Sequence, residues 1–346
     1  MARLGALGFG GPAAHVALMR RQFVADGAEF DDEEFAEMIG LTNLIPGPNS
    51  TELAMHIGHR RLGGRGLFVA GACFILPAVI VVSVLAALYE RHGAWSALPA
   101  LRAGVLPVML AIVVDATIGL RGTAASTTAR LALALAAATA VLLGTNELIV
   151  LLCAAAIGAA TSTRRAPFVF AAAVHPSVLE LLWRFVVIGS VVYGSGYVLL
   201  AHLHDWFVDA GLVSPELLLD ATTVGQATPG PVFTTATFLG WQLAGVAGAA
   251  VATIGVFGPS FLFVAALGPM RTWVARRPAA SAALRAVTSA SLGLMAAVAV
   301  QLADDAMVDP LAIGTALVAM GLLRRRVDPT WLVIGGLAVG IVRAIV

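Results

Sequence analysis

The stretch "NLIPGPNSTELAMHIGHRR", Asn43 to Arg61, sets a Pro-Gly-Pro in the middle of an apolar chain and follows it with amides, hydroxyls and a carboxylate. Proline lacks the amide donor, clashes with the preceding turn and drives the residue before it out of helical geometry, so Pro46-Gly47-Pro48 ends one helix and lets another begin. The device returns in "QATPGPVFTTATFLG", Gln226 to Gly240.

The composition around these breaks fixes the solvent. Hydrophobic residues make up 59% of the 346 and charged ones only 12%, against about 25% charged in a soluble domain. Runs such as Gly66 to Leu88, Leu98 to Leu120, Leu179 to Leu200 and Gly248 to Leu267 approach the roughly 20 residues a helix needs to cross about 30 Å of hydrocarbon. No alternating barrel-type strands are legible, so the reading is an all-α polytopic membrane protein. A net charge of +1 argues against nucleic acid as a partner and leaves the lipid bilayer. Cys73 and Cys153 both lie in apolar runs and read as packed thiols, with no disulfide frame or metal pattern. The opening "MARLGALGFGGP" has no signal-peptide pattern and reads as a shortened first helix.

The chain reads as two copies of one unit. Superposing Pro46-Gly47-Pro48 on Pro229-Gly230-Pro231 sets Asn43 on Gln226 and, after a one-residue gap, Gly58 on Gly240, Gly63 on Gly245, Gly66 on Gly248 and Pro77 on Pro259. "FGGP" (Phe9 to Pro12) falls on "YGSG" (Tyr193 to Gly196), and "ALRAG" (Ala100 to Gly104) on "ALRAV" (Ala283 to Val287). The join lies in Thr161 to Ser177, which divides the chain into 1–165 and 166–346. Each copy is expected to hold about five membrane spans plus a re-entrant pair of half-helices around its break. All 21 Lys and Arg positions are Arg, and this topology puts all but Arg3, Arg91, Arg102 and Arg343 on one side. Positive charge collects in cytoplasmic loops, and equivalent loops of the two copies carry opposite signatures, so the second copy is inverted. The last two spans of each half are short: Ala129 to Gly144 with Glu147 to Ala160, and Pro310 to Leu323 with Thr330 to Ile345.

In hydrocarbon a broken backbone survives only where protein or a wet cavity satisfies it. Each new helix would aim its first amides and positive dipole end back at its break, and two inverted copies would aim two such ends at one midplane site, as inverted-repeat transporters do for anions. Asn43, Asn49, Ser50 and Thr51, with Gln226, Thr228, Thr234 and Thr235, add amide and hydroxyl donors suited to a small inorganic oxyanion. For Asn49 and Ser50, helix capping and ligand contact both stand as readings. Pro46, Gly47, Pro48, Pro229, Gly230 and Pro231 of the breaks, with Gly10 and Gly11, are counted as candidate contacts of the anion. Gly10 and Gly11 fit no nucleotide loop, since no strand precedes them; close packing or a second helix break remains. Glu52 and His56 share a helix face, His15 follows "FGGP", and all three are candidates for proton or charge coupling. Arg102 and Arg285 are repeat-equivalent and read either as anion-steering residues or as snorkelling anchors. The acidic run Glu29 to Met38 reads as a helix start, Asp31 capping and Glu34 three residues on, with Ser214 in the same part in the second copy. It holds no His or Cys to complete a metal site. No Ser-His pairing in a suitable motif and no His-Glu-x-x-His argue for an enzyme.

The strings "FGGPAAHVALMRRQFV", "EEFAEMIGLTNLIPGPNSTELAMHIGHRRLGGRGLFVAGACFILPA" and "VGQATPGPVFTTATFLGWQLAGVAGAAVATIGVFGPSF" resemble the paired signatures of the chromate ion transporter family. The resemblance implies a bacterial inner-membrane protein that exports chromate and confers resistance, with sulfate handled by some members and no cofactor. It also implies a duplicated, antiparallel architecture; a homodimer is left open. The departures are the short N-terminus and "YGSG" in place of a glycine-richer motif.

Overall fold

Two long helices follow the two Pro-Gly-Pro turns, and neither is straight. In the computed structural model, α4 (Asn49–His92) bends at Leu62 (φ −137°) and Gly63 (φ 59°), and α11 (Thr235–Ala275) bends at Ala244 (φ −152°) and Gly245 (φ 56°). A positive φ is cheap only for glycine, which is why a glycine sits at each bend. The chain doubles back there, because a Cβ on Gly58 would strike the Gly66 carbonyl and one on Gly240 the Gly248 carbonyl. In α4 this leaves a short first arm and a second arm of about 40 Å at 1.5 Å per residue, more than the hydrocarbon thickness.

The structure describes residues 1–8, 11–25, 29–42, 45–92, 98–145, 147–160, 177–192, 196–275, 277–325, 327 and 329–345. Among them every regular element is helical. The first half runs α1 (Ala2–Leu7), α2 (Gly11–Arg20) with a π-helical turn Arg21–Ala25, α3 (Asp32–Thr42), α4, α5 (Leu98–Ala124), α6 (Thr128–Leu142) and α7 (Glu147–Ala160). The second runs α8 (Val178–Val191), α9 (Gly196–Leu203) with a π-helical turn His204–Val208, α10 (Pro215–Ala227), a 3-10 turn Val232–Thr234 into α11, α12 (Pro278–Ala306), α13 (Pro310–Arg324) and α14 (Pro329–Ile345). The element order matches, down to the π turns.

Local signals in the sequence account for the ends. Asp31 and Glu34 form a reciprocal capping box at α3 (2.7 and 3.3 Å), and the Ser214 hydroxyl caps α10 (3.2 Å), both as expected. Two expectations are corrected. The run Leu179 to Leu200 is not one span: α8 stops at Val191 and Val192 is extended (φ −67°, ψ 117°). The same break closes α1, where Gly8 is extended (φ −78°, ψ 95°), so a helix ends directly ahead of both the "YGSG" and the "FGGP" strings. Cys153 is not packed but exposed, its thiol on an outward face; Cys73 is half-buried.

The halves interlock by exchange. The long α5 packs against α13 and α14 of the second half, and its counterpart α12 packs against α6 and α7 of the first. Glycine makes both approaches close: a Cβ on Gly104 would meet the Gly336 carbonyl, and one on Gly158 the Ala282 carbonyl. At the centre α4 lies on α11, with Phe68 stacked on Phe261 at 5.3 Å, and one core runs through both halves from Met55 and Ile75 to Phe185, Phe233 and Phe257. Four helices are long and apolar enough to cross a bilayer among the described residues: Asn49–Arg91, Pro99–Gly119, Val232–Ala265 and Pro278–Asp304. Their outward faces are apolar, with Phe68, Val69, Ile80, Val84, Ile254 and Leu262 exposed, as lipid contact requires and water would penalise.

Candidate functional site at the two helix breaks

Each break is anchored in the opposite half. The Gly47 amide donates to the Val192 carbonyl at 2.7 Å, and the Gly230 amide donates to the Gly8 carbonyl at 2.8 Å. The acceptors are the extended residues that close α8 and α1, so the helix interruption in one half frees a carbonyl for the Pro-Gly-Pro turn of the other. Both glycines have positive φ, 132° and 105°. Gly47 rests against the Glu52 carboxyl and the Ser260 hydroxyl of α11; Gly230 rests against the Cβ of Ala78 on α4. Ser260 follows Pro259 as Ala78 follows Pro77, so each turn meets the same place on the other half's long helix.

These bonds also limit what the breaks offer a ligand. The two turn glycines, whose amides would be natural anion donors, spend them on the fold. The Thr51 and Glu52 amides turn to the Pro48 carbonyl (2.7 and 3.1 Å), and the Thr234 amide to the Pro231 carbonyl (3.1 Å). Pro46, Pro48, Pro229 and Pro231 have no amide proton, and shape the turns only.

Side chains therefore carry the donors, and the two breaks are not alike. In the second, Thr228, Thr234 and Thr235 donate their hydroxyl protons to the carbonyls of Gly225, Pro231 and Val232 at 2.9–3.2 Å. Those protons hold the turn. Gln226 differs: it is buried, and its Nε2 has no partner among the described residues. In the first break Thr51 is fully buried and its Oγ1 has no partner among the described residues. Asn49 and Ser50 open α4 beside it. Glu52, also fully buried, accepts from the Ser260 hydroxyl with Oε1 (3.1 Å), while its Oε2 has no partner among the described residues. A buried polar atom left unsatisfied costs about 1–3 kcal/mol, which sets Thr51, Glu52 and Gln226 apart from the bonded threonines of the second break.

The titratable candidates separate. His15, almost fully buried, stands between the two breaks: its Nε2–H donates to the Gly8 carbonyl (2.9 Å), the same oxygen that Gly230 uses, and its Nδ1 lies 3.1 Å from the Ser50 hydroxyl. His56 is buried one turn beyond Glu52, and neither ring nitrogen has a partner among the described residues. Arg102 and Arg285 do not share an environment. Arg102 lies 3.7 Å from the buried Asp220 carboxylate and donates to the Glu216 carbonyl at 3.5 Å, whereas Arg285 is exposed and bonds to Ser281 one turn back. Asn43 and Gly10 lie outside the described residues, and Gly11 is the first residue of α2.

Sequence reasoning missed four participants. Ser260 carried a signal, a hydroxyl beside the matched Pro259. Asp220, with the Tyr89 hydroxyl donating to it at 2.9 Å, is a carboxylate in an apolar helix that enters a break. The Gly8 and Val192 carbonyls had no signal beyond the break itself.

Comparison with known proteins gives a family for this arrangement. The family described as "Chromate transporter" matches residues 1–159 and 179–341. The chain is 30% identical to a "Probable chromate transport protein" of Synechococcus elongatus, over 89% of this chain and 84% of that one. It is 28% identical to the "Chromate transport protein" of Cupriavidus metallidurans (98% and 90% covered) and 28% identical to that of Pseudomonas aeruginosa (92% and 84% covered). No solved structure matches. A multi-pass helical membrane protein whose two matched segments cover nearly its whole length, this chain belongs to the chromate transporter family.

Proposed function

We infer that the chain carries chromate out of the cell across a bacterial inner membrane, holding the anion halfway through the bilayer between its two Pro-Gly-Pro breaks. The observation that carries this is the exchange of bonds between Gly47 and Val192 and between Gly230 and Gly8, which stitches each break into the opposite half. Reciprocal contacts of this kind follow from a pseudo-twofold relating 1–165 to 166–346. With the Arg asymmetry, they support two inverted repeats, each of about five spans and one re-entrant pair: α3 with the first arm of α4, and α10 with the first arm of α11.

Thr51 and Gln226, one from each break, are the donors that remain for an oxyanion, with Asn49 and Ser50 at the start of α4 beside them. The positive ends of the two helices that start at the breaks add a favourable field. Glu52, His15 and His56 are the titratable groups next to this place. Export of a dianion is favoured by the voltage alone, by about 2.3 kcal/mol per charge per 100 mV.

The test is flux of labelled chromate, sulfate and molybdate in proteoliposomes holding the full chain, under a set voltage and with or without a pH gradient. Saturable chromate flux in the direction of anion exit, lost in Gln226→Leu and Thr51→Val while both remain folded, is the expected result. Unchanged flux in both variants moves the site elsewhere; sulfate flux without chromate flux replaces the substrate; flux that never saturates makes the protein a pore.

A further inference from the structure

One side chain touches the machinery of both breaks. The Gly8 carbonyl receives the Gly230 amide of the second break (2.8 Å) and the His15 Nε2–H (2.9 Å). The other ring nitrogen faces the Ser50 hydroxyl at the start of the helix after the first break (3.1 Å). The path from Gly230 through Gly8 and His15 to Ser50 is three hydrogen bonds long. The ring is fixed on both sides: it meets Phe74 edge-on at 5.1 Å, and a Cβ on Gly8 would press on its Cδ2. The repeat does not supply a twin, for the second-copy equivalent of His15 is the buried Leu199.

The chemistry of this pair has two states. A carbonyl only accepts, so Nε2 carries a proton in both. In the neutral ring Nδ1 is a lone pair, and the Ser50 hydroxyl must donate to it; that proton is then unavailable to a ligand. When Nδ1 takes up a proton, the direction reverses: Nδ1–H donates to Ser50 Oγ and the hydroxyl proton turns outward. One proton gained by the ring thus releases one donor at the break and places a positive charge behind it.

We propose that His15 is a positioning residue that links oxyanion binding to uptake of one proton, by switching the Ser50 hydroxyl from a donor to the imidazole into a donor to the anion. The proposal rests on the midplane site inferred above. Several charged or titratable groups sit on the elements packed against α2. Arg3 is on α1; Glu52, His56, Arg60 and Arg61 are on α4; Arg21 is on the π turn and Arg343 on α14, with Arg20 on α2 itself. Of these, Arg20 is bound to Asp32, Arg60 to Glu34, Arg61 to Glu29 and Arg343 to Asp309, while Glu52 is turned to Ser260. Histidine is the side chain whose titration falls between about pH 5 and 8.

The experiment is equilibrium binding of chromate to the full chain in detergent at a series of pH values, for wild type, His15→Gln and Ser50→Ala. The anion's own protonation is common to all three proteins, so only differences between them count. Wild type should tighten relative to His15→Gln as the pH falls, by at most about tenfold per unit for a single proton. The Ser50→Ala deficit should widen from on the order of twofold at the alkaline end to about tenfold at the acid end, as suits loss of a bond to a charged group. Parallel curves for wild type and His15→Gln, or a Ser50→Ala deficit that is constant with pH, overturn the proposal while leaving chromate as the ligand. If His15→Gln does not stay monodisperse, the Ser50→Ala comparison alone decides. Absence of chromate binding by the wild type at every pH removes the transport reading, and this inference with it.

Discussion

The two breaks share a backbone and differ in chemistry. Both turn on a glycine with positive φ, both are tied across to an interrupted helix of the other half, and both start a helix that doubles back at a second glycine. Beyond Pro48 the chain then reads Asn-Ser-Thr-Glu, and beyond Pro231 it reads Val-Phe-Thr-Thr. The second break closes on itself, its threonines bonded to their own turn and Val232 and Phe233 buried in the core. The first keeps a carboxyl oxygen and a hydroxyl without partners among the described residues and has a histidine behind it. The frame occurs twice; beside the first break Thr51 Oγ1 and Glu52 Oε2 have no partner among the described residues, and in the second the same holds of Gln226 Nε2.

The largest effects should come from the frame. Alanine at Gly47 or Gly230 puts a Cβ on a positive-φ residue, at about 1–2 kcal/mol, and crowds a packed site, at about 1–3 kcal/mol more. The neighbours differ: Gly230 faces the rigid Ala78 Cβ, whereas Gly47 faces the movable ends of Glu52 and Ser260. Gly230→Ala should therefore lose more thermal stability, and Gly47→Ala should keep more of the fold while losing chromate flux, because it displaces Glu52. Equal losses of stability in the two variants would break the contrast.

A second comparison separates bound hydroxyls from waiting ones. Thr234→Val removes a bond to Pro231 and should cost about 1 kcal/mol in unfolding with flux retained. Thr51→Val removes a hydroxyl without a partner among the described residues and should leave stability level or slightly higher, with flux reduced at least about tenfold, the worth of one bond to an anion. Thr51→Val with normal flux would show that the free hydroxyl is incidental.

Much of the frame was legible from the chain because it is written locally. Pro-Gly-Pro, the Asp31–Glu34 box, the matched Gly63 and Gly245 and the short final helix pairs are each set by residues within a turn or two of one another. What could not be read depends on partners far along the chain. Glu52 and Ser260 are 208 residues apart, and no periodicity announces that Gly47 will bond to Val192. Hydropathy also averages over interruptions, so Leu179 to Leu200 scans as one span although Val192 breaks it. The distinction between spent and unspent threonines was invisible for another reason. Thr51 and Thr234 are repeat-equivalent, and only the 3-10 turn at Val232–Thr234 directs the second hydroxyl into its own backbone.

Arg102 and Arg285 extend the contrast to the outer ends of the two halves. Arg102→Gln leaves the buried Asp220 with Tyr89 alone and should cost about 1–2 kcal/mol, below the 3–5 typical of a fully buried pair because the guanidinium is partly exposed. Arg285→Gln on an exposed surface should stay within about 0.5 kcal/mol. Both are read by thermal unfolding of the full chain, and a larger loss at Arg285 would overturn this contrast.

The smallest effect concerns two helix starts, one capped by a hydroxyl and the other by a carboxylate. Thr127 caps α6 through the Arg130 amide (3.3 Å), and Asp309 caps α13 through the Ala312 amide (2.8 Å) with Arg343 beside it. The Ala312 amide, then Arg343, hold the Asp309 carboxyl below the usual range. A depressed carboxyl lends stability that is complete above its unfolded value, near 3.9, and drains away as the pH falls through its lower folded value. Acidification from about pH 5 to about pH 3 should therefore raise amide hydrogen exchange, corrected for its intrinsic pH dependence, in the first turn of α13 and not of α6. In Asp309→Asn, which still caps but does not titrate, the two helices should respond alike. An α6 turn that loosens as much as α13 in the wild type would assign the acid response to the membrane domain as a whole and not to this one carboxylate.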